Sequence, residues 1–335
     1  MQLSDQLILA GVLQAILYLF FVRAIDLYER EPLPYVVAVF LWGFAVATTI
    51  AVFFNTLAKT AFASLVSERG ANALTAIFVA PVVEESAKGL ALLIIFVIAF
   101  LAALLRRGLI EFAGVMDGIV YGSVVGFGFA LYEDISYGMQ FGAQTFIARR
   151  ILGSFGHAAF TSSTGIGFGL IPFANSTRMK IVSPLLGLLV AIFLHSTFNF
   201  LATTLGPVAY LFMFIVVLVY LVLIIVWLNF ERRSIKDELR EEVKMGIISP
   251  EEYAILPTVF RRRSYYLQLV LKGQLREWST ARRVHSTAVD LAFAKSLARR
   301  KTTPTRVERV RALRQKLLDL KAQAGTSILA PNHAG

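Results

Sequence analysis

Residues 82–96 read VVEESAKGLALLIIF, and the apolar stretch that they open continues to Leu105. Glu84, Glu85 and Lys88 therefore stand at the head of a segment apolar enough to enter a membrane. A charged side chain at the bilayer centre costs about 2.5–3.5 kcal/mol on insertion scales, so such residues are expected to face inward and to pair. The stretch predicts a membrane protein that buries ionisable groups among its helices.

The rest of the chain supports a membrane location. Of the 335 residues 57% are hydrophobic, and the mean hydropathy of +0.67 is too high for an ordinary soluble domain of this size. We predict an all-α bundle of seven transmembrane helices, or eight if the residues before Pro81 form a separate half-helix. The predicted spans are about 6–25, 35–57, 74–104, 113–136, 150–173, 181–204 and 207–230.

Charge divides the chain into two regions. Residues 1–230 hold 11 Lys and Arg against 11 Asp and Glu, whereas residues 231–335 hold 22 against 11. The sequence therefore predicts a transmembrane core, residues 1–230, and a basic, mostly helical tail, residues 231–335, whose last dozen residues are expected to be disordered. The absence of cysteine excludes disulfides, thiolate metal ligands and a cysteine nucleophile.

Basic residues near the span ends predict the topology. The N-terminus carries Asp5 and no basic residue before the first span, so we do not expect it to be a cleavable signal peptide. Arg23 and Arg30 follow the first span, which places the N-terminus outside by the positive-inside rule. Seven alternating spans then place the tail in the cytoplasm, and the basic sequence ERRSIK directly after the last span supports that side.

Several polar residues lie inside the predicted spans. They are Glu84, Glu85, Lys88, Asp117, Glu133, Asp134, His157, His195 and Asn199. One interpretation is structural, with interhelical hydrogen bonds that hold the bundle together. However, at 1.5 Å per residue Glu84, His157 and His195 all lie about 10–15 Å below the outer surface, with Glu133 somewhat shallower. A common depth on four helices favours a functional site.

Such a site supports two kinds of chemistry. Glu84 or Glu85 could act as general base on a water, with a histidine or the second glutamate as proton donor or oxyanion stabiliser. The same groups could instead hold a divalent metal, because His and Glu are ordinary zinc ligands. The HExxH, GxGD and serine-elbow signatures of other intramembrane hydrolases are absent from the sequence.

Helical spacing suggests partners for these residues. Glu84 and Lys88 are four residues apart in the favourable order, and the same spacing pairs His157 with Thr161 and His195 with Asn199. The segment DGIVYGSVVGFG repeats glycine every four residues, at positions 118, 122 and 126. This stripe predicts close helix packing that brings Glu133 near its partners, without a chemical role of its own.

Five motifs in order resemble those of the PrsW-type intramembrane proteases, distant relatives of the CAAX prenyl protease and Abi family. They are YEREP (28–32), APVVEESAKGLALL (80–93), DGIVYGSVVGFGFALYEDISY (117–137), GHAAFT (156–161) and HSTFNF (195–200). The resemblance covers residues 20–205. It implies an endopeptidase that hydrolyses a peptide bond of a membrane-tethered protein, such as an anti-sigma factor-like regulator.

The resemblance also implies the site residues. The catalytic set would be Glu84, Glu85, Glu133, His157 and His195, supported by Lys88, Asp117, Asp134 and Asn199. The resemblance implies one of two mechanisms. The first uses a glutamate-activated water, which explains the prenyl-protease relatives better and is slightly favoured. The second uses one divalent metal, zinc, held by Glu84, His157 and His195. Asp134 is a departure, because the family commonly has Asn after this glutamate, and an amide donor is thereby replaced by an acceptor.

Two other function classes fit buried acids and histidines. A proton-coupled transporter usually shows internal repeats, and the sequence shows none. A non-catalytic scaffold would not need the acid–base set, which is intact here apart from Asp134. The sequence therefore favours the protease.

The tail has its own patterns. ISPEEY predicts a helix start with Ser249 as N-cap, Pro250 first and Glu252 third. Residues 303–324 show the apolar spacing of an amphipathic helix, and FRRRSYYLQLVLKG (260–273) mixes basic and aromatic residues. Solvated helices on the cytoplasmic face are the plain interpretation, binding to anionic lipid headgroups is the alternative, and nucleic acid is not expected as a partner.

Overall fold

The structure, a computed structural model, describes residues 3–28, 30–105, 112 and 114–324. Every element within these residues is helical, and none is a strand. The predicted all-α class is confirmed. The expected disorder of the last dozen residues falls on 325–335, which lie outside the described residues.

The described part of the chain contains fourteen α-helices. They are α1 Leu3–Ile25, α2 Leu33–Leu41, α3 Thr48–Ala63, α4 Glu68–Leu74, α5 Ala80–Leu104, α6 Val115–Phe141, α7 Ala143–Ala148, α8 Ser154–Gly169, α9 Thr177–Leu205, α10 Ala209–Lys244, α11 Pro250–Ile255, α12 Val259–Leu271, α13 Leu275–Arg300 and α14 Pro304–Ala324.

Five helical runs in the described residues are long and apolar enough to cross a membrane. They are Ser4–Ile25, Leu33–Ala63, Glu68–Ala102, Val115–Phe141 and Thr177–Lys244. The last run contains both α9 and α10, which meet at Gly206, where a φ of 58° breaks the helical path. The chain is thus a helical membrane bundle, while the predicted number of seven or eight crossings stays a prediction.

Three π-helical segments join helices into longer runs. Trp42–Ala47 links α2 to α3, Thr75–Val79 links α4 to α5, and Arg149–Gly153 links α7 to α8. No break occurs at Pro81, because α5 begins at Ala80 and continues the run from α4, which together cover Glu68–Ala102. Proline is tolerated there since it lies in the first turn of α5, directly after the widened π segment.

Helix α6 is the centre of the membrane bundle and is buried along most of its length. It packs against α8, α1 and α2. The predicted glycine stripe makes the contact with α8: a Cβ on Gly118, Gly122 or Gly126 would stand 2.0–2.6 Å from backbone atoms of α8. Only glycine permits this approach, and the close packing fixes the register between α6 and α8.

The chain divides into two compact units, Met1–Asp26 with Glu31–Ile225, and Leu27–Arg30 with Val226–Gly335. The second unit has its own apolar core, to which Ile235, Leu239, Leu256 and Leu317 contribute. The predicted capping box opens α11, where Ser249 and Glu252 bond each other's backbone N–H. Residues 304–324 form α14, as the apolar spacing predicted.

Candidate active site

Glu85 is the best-connected residue of the polar cluster in the membrane bundle. Its carboxylate accepts hydrogen bonds from Lys88 Nζ at 2.6 Å and from Thr161 Oγ1 at 3.1 Å. His195 Nδ1 lies 2.9 Å from the same carboxylate. Side chains from α5, α8 and α9 therefore meet at one carboxylate, and Glu85 and Lys88 are fully buried.

Glu84 has a different environment, because neighbouring residues on a helix point about 100° apart. Its Oε1 accepts a hydrogen bond from Asn55 Nδ2 on α3 at 3.2 Å. Its Oε2 is buried and accepts no hydrogen bond from any residue that the structure describes. That oxygen lies 3.9 Å from His195 Nε2.

His157 connects the two other charged groups of the cluster. Its Nδ1 lies 3.2 Å from Lys88 Nζ, and its Nε2 lies 2.7 Å from Glu133 Oε2. Glu133 also pairs with Arg149 Nη2 at 2.7 Å. The rings of His157 and His195 are perpendicular with centroids 5.2 Å apart, so both imidazoles border one space.

These partners indicate which ring nitrogen of each imidazole carries a proton. Lysine only donates and a carboxylate only accepts, so His157 carries its proton on Nε2 and accepts from Lys88 at Nδ1. His195 donates from Nδ1 to Glu85, and in the neutral imidazole this leaves a lone pair on Nε2. That lone pair faces the unpaired oxygen of Glu84.

Asp134 lies beside this cluster in a buried network of its own. Its carboxylate accepts from Ser154 Oγ at 2.7 Å, Gln14 Nε2 at 3.1 Å and Arg149 Nε at 3.3 Å. All three partners are donors, so a carboxylate suits this position. Through Arg149, which also pairs with Glu133, Asp134 is coupled to the candidate site.

The remaining two supporting residues lie elsewhere. Asp117 accepts a hydrogen bond from the Gly114 N–H and caps the start of α6, about 24 Å along the helix axis from Glu133. Asn199 donates to the Ala76 carbonyl in the π-helical segment before α5 at 2.8 Å. The structure does not bring Asp117 into the cluster, and it gives Asn199 a contact that braces the helix carrying the two glutamates.

The three pairings expected from helical spacing are wrong in detail. Lys88 bonds Glu85 rather than Glu84, Thr161 bonds Glu85 rather than His157, and Asn199 bonds backbone rather than His195. In each case a partner on another helix, or three residues away on the same helix, is closer. Spacing shows which side chains share a face, and tertiary packing then selects among them.

Sequence reasoning missed two residues of the cluster, Asn55 and Arg149. Asn55 sits in an apolar stretch of α3 without any motif around it. Arg149 directly precedes the predicted span 150–173, and its guanidinium pairs with Glu133 and Asp134 and lies over the Tyr137 ring. A basic pair at the very start of a predicted span was the available signal.

The donor set fits a metal ion in type. Glu84, His157 and His195 each offer one ligand atom, and these atoms all lie within 4.8 Å of one another. Two imidazoles and a carboxylate form a known zinc ligand set, and the unpaired Glu84 oxygen is a donor that such an ion would satisfy. Zinc ligands at 2.0–2.1 Å stand about 3.4 Å apart, so the three groups would close inward around an ion.

A bundle of apolar helices that buries carboxylates, imidazoles and a lysine at one place is typical of membrane-embedded enzymes and ion-coupled transporters. Comparison with known proteins distinguishes the two. The model of a family described as PrsW family intramembrane metalloprotease matches residues 31–227, more than half of the chain, so the chain belongs to that family. The predicted intramembrane protease is confirmed, and the transporter and scaffold alternatives are not favoured.

Individual relatives agree. Protease PrsW of Geobacillus kaustophilus is 32% identical over 195 residues, which are 58% of this chain and 79% of that protein. Protease PrsW of Clostridioides difficile is 25% identical over 222 residues, 65% of this chain and 86% of that protein. No solved structure matches the chain.

Proposed function

We propose that this intramembrane protease cleaves membrane-tethered proteins with a water molecule held between Glu84 and His195. The observation that carries the proposal is the pair of facing acceptors, Glu84 Oε2 and His195 Nε2, at 3.9 Å. A direct hydrogen bond between these two atoms would require a distance of about 2.6–3.0 Å, so at 3.9 Å they do not share a proton. A water with two O–H donors, or a cation, satisfies both acceptors at this spacing.

Glu84 is then the general base. It takes one proton from the water as the water oxygen bonds to the scissile carbonyl carbon. When the C–N bond breaks, the same carboxyl returns the proton to the leaving nitrogen. Asn55 holds the other Glu84 oxygen, so the reactive oxygen keeps its direction towards His195.

The neighbouring groups position the pair. Glu85 fixes the tautomer and ring orientation of His195 through its bond to Nδ1. Lys88 neutralises Glu85 and donates to His157, whose Nε2–H in turn bonds Glu133. This chain of hydrogen bonds holds His157 and His195 in fixed orientations beside the proposed water.

A metal ion is the alternative occupant of the same space. Glu84, His157 and His195 would hold it, and when bound it would polarise the scissile carbonyl and make a coordinated water more acidic. His195 Nε2 and Glu84 Oε2 present their lone pairs without change, whereas His157 would first release Lys88 or Glu133. We favour one zinc ion as the metal if the site holds one.

The substrate test uses the full-length protein in its own cells. Membrane fractions from cells with the wild type, without the gene, and with Glu84→Gln are compared by sequencing of new protein N-termini. Cleavage products that require the wild type and are missing with Glu84→Gln identify the substrates. Asp237→Asn, which alters an exposed carboxylate of the tail, is the control and should leave every product in place.

The test for a metal measures bound zinc as well as cleavage. Zinc content of the purified protein is measured for the wild type and for His195→Ala. About one zinc per wild-type chain that is absent from the variant, with cleavage lost on chelation and restored by zinc, means a metal site. Cleavage indifferent to chelation, in a zinc-free protein, means a water activated by Glu84 alone.

A further inference from the structure

Helix α12 in the second unit carries large apolar side chains on its outer face. Phe260, Leu267 and Leu271 are 79%, 58% and 77% exposed. At 100° per residue these three positions fall within about 40° of one another around the helix. Isolated exposed leucines are common, but three large apolar side chains along one stripe form a continuous surface.

The opposite face of α12 is packed, so the stripe is not its core-facing side. Arg262, Tyr265 and Leu269 are buried and lie about 180° from the stripe. Tyr265 and Leu269 pack with Ala281 of α13. The helix is thus fixed within its unit on one side and offers a second apolar side outward.

The start of α12 is held to the short link between α1 and α2. Arg262 Nη2 donates to the Leu27 carbonyl at 2.6 Å, and the Tyr28 hydroxyl donates to the Pro257 carbonyl at 3.0 Å. The link joins two helical runs that are each apolar enough to cross a membrane. Residues 27 and 28 therefore lie near a bilayer surface, and α12, which begins at Val259, starts near that surface as well.

The charges around the stripe have one sign. Arg261 and Arg263 are exposed on α12, about 100° and 60° to either side of the stripe, and Lys272 and Arg276 are exposed just after α12 ends. No Asp or Glu occurs from Tyr253 to Arg276, so no acidic side chain in this segment neutralises them. An apolar stripe flanked by Lys and Arg is the composition of a helix that lies in an anionic membrane interface.

We propose that α12 lies on the anionic headgroup layer of the protein's own membrane, with Phe260, Leu267 and Leu271 inserted among the lipids and the flanking Arg and Lys bound to lipid phosphates. The contact is separate from hydrolysis. It would attach the basic unit to the bilayer through lipid, so lipid charge controls its attachment.

The experiment exploits the absence of cysteine from the chain. Leu267→Cys is labelled with an environment-sensitive fluorophore in the full-length protein, which is placed in nanodiscs containing lipids spin-labelled near the headgroup. Ala312→Cys, an exposed position on α14, is the matched control. The nanodiscs contain either phosphatidylcholine alone or phosphatidylcholine with about one-third phosphatidylglycerol.

We expect the label at 267 to be quenched at least threefold more than the label at 312 in the anionic nanodiscs. The difference should shrink in phosphatidylcholine alone and in a variant with Arg261, Arg263, Lys272 and Arg276 all changed to Gln. Equal, weak quenching at both positions overturns the proposal and leaves a protein partner as the occupant of the stripe. Strong quenching at 267 that ignores lipid charge and the Gln changes overturns the role of anionic lipid.

Discussion

Two adjacent glutamates have different roles because their carboxylates have different partners. Glu85 points towards α8 and α9 and is bonded to Lys88, Thr161 and His195. Glu84 points towards α3, with one oxygen on Asn55 and the other unpaired beside His195. The carboxylate with a free acceptor is the one available to hold a water, whereas the fully bonded carboxylate orients its neighbours.

Changing each glutamate to glutamine should therefore give two different results. Glu84→Gln removes the base, and cleavage should fall about 10²–10⁴-fold because general-base catalysis contributes that much. Its melting temperature should stay near the wild-type value, because only the Asn55 bond is altered. Glu85→Gln, in contrast, should lower the melting temperature, because losing one partner of the buried Glu85–Lys88 ion pair costs about 3–5 kcal/mol.

The measurements are product formation from a substrate identified by its new N-terminus, and thermal unfolding followed by tryptophan fluorescence. Near wild-type cleavage by Glu84→Gln would remove Glu84 as the base. A Glu85→Gln protein as stable as the wild type would show that Lys88 does not depend on this carboxylate.

The departure from the family pattern at position 134 is explained by its three donor partners. Asp134→Asn, which restores the usual residue, places an amide NH₂ against at least one donor among Ser154, Gln14 and Arg149. We expect a loss of about 1–3 kcal/mol in the free energy of unfolding, the usual penalty for a buried polar group without its partner. Cleavage should fall less than in Glu84→Gln, because Arg149 keeps its bond to Glu133. Denaturant unfolding in detergent micelles measures the change, and an equally stable variant would contradict the need for a carboxylate.

At the scale of the helix, glycine decides how closely α6 and α8 approach. A Cβ on Gly126 would stand 2.4 Å from the His157 carbonyl oxygen, and backbone cannot yield there as a flexible side chain could. Gly126→Ala should push α8 away and separate His157 from Lys88 and Glu133. We expect it to abolish cleavage and to lower the melting temperature.

Gly89→Ala is the matched control for this substitution. It lies in α5 next to Lys88, yet its added Cβ would meet Thr164 Cγ2 at 3.5 Å and Leu188 Cδ1 at 3.8 Å, both ordinary van der Waals contacts. Alanine also favours the helix by about 1 kcal/mol over glycine, so stability should hold or rise. Equal damage from both alanines would show that the α6–α8 distance is not what Gly126 protects.

The elements most visible in the sequence were those set by local pattern. Apolar runs of spanning length predicted the membrane helices, the Ser249 capping box was found in place, and the glycine stripe marked the α6–α8 contact. The π-helical segments carried no readable pattern, because a widened turn depends on the packing around it. The roles of Asn55 and Arg149 were not predicted for the same reason, because their partners lie on helices distant in the chain.

At the scale of the whole molecule, the number of crossings depends on α8. Ser154–Gly169 spans about 24 Å as an α-helix, less than the hydrocarbon core of about 30 Å. The π-helical segment Arg149–Gly153 lengthens it to about the required span. We propose that α8 crosses the membrane, with Arg149 at the outer end, the N-terminus outside and the tail in the cytoplasm.

Cysteine labelling tests the crossing, because the chain has no native cysteine to interfere. Ser64→Cys lies between α3 and α4, Asn175→Cys between α8 and α9, and Ala312→Cys on α14, and all three positions are exposed. If α5, α6 and α8 each cross, Ser64 and Asn175 face opposite sides, and two further crossings by α9 and α10 put Ala312 on the side of Asn175. We expect a membrane-impermeant maleimide to label Ser64→Cys in spheroplasts and the other two variants only after lysis.

Labelling of Ser64→Cys and Asn175→Cys from the same side would mean that α8 enters and leaves by one face. Labelling of Asn175→Cys and Ala312→Cys from outside, with Ser64→Cys protected, would mean that the proposed orientation is inverted.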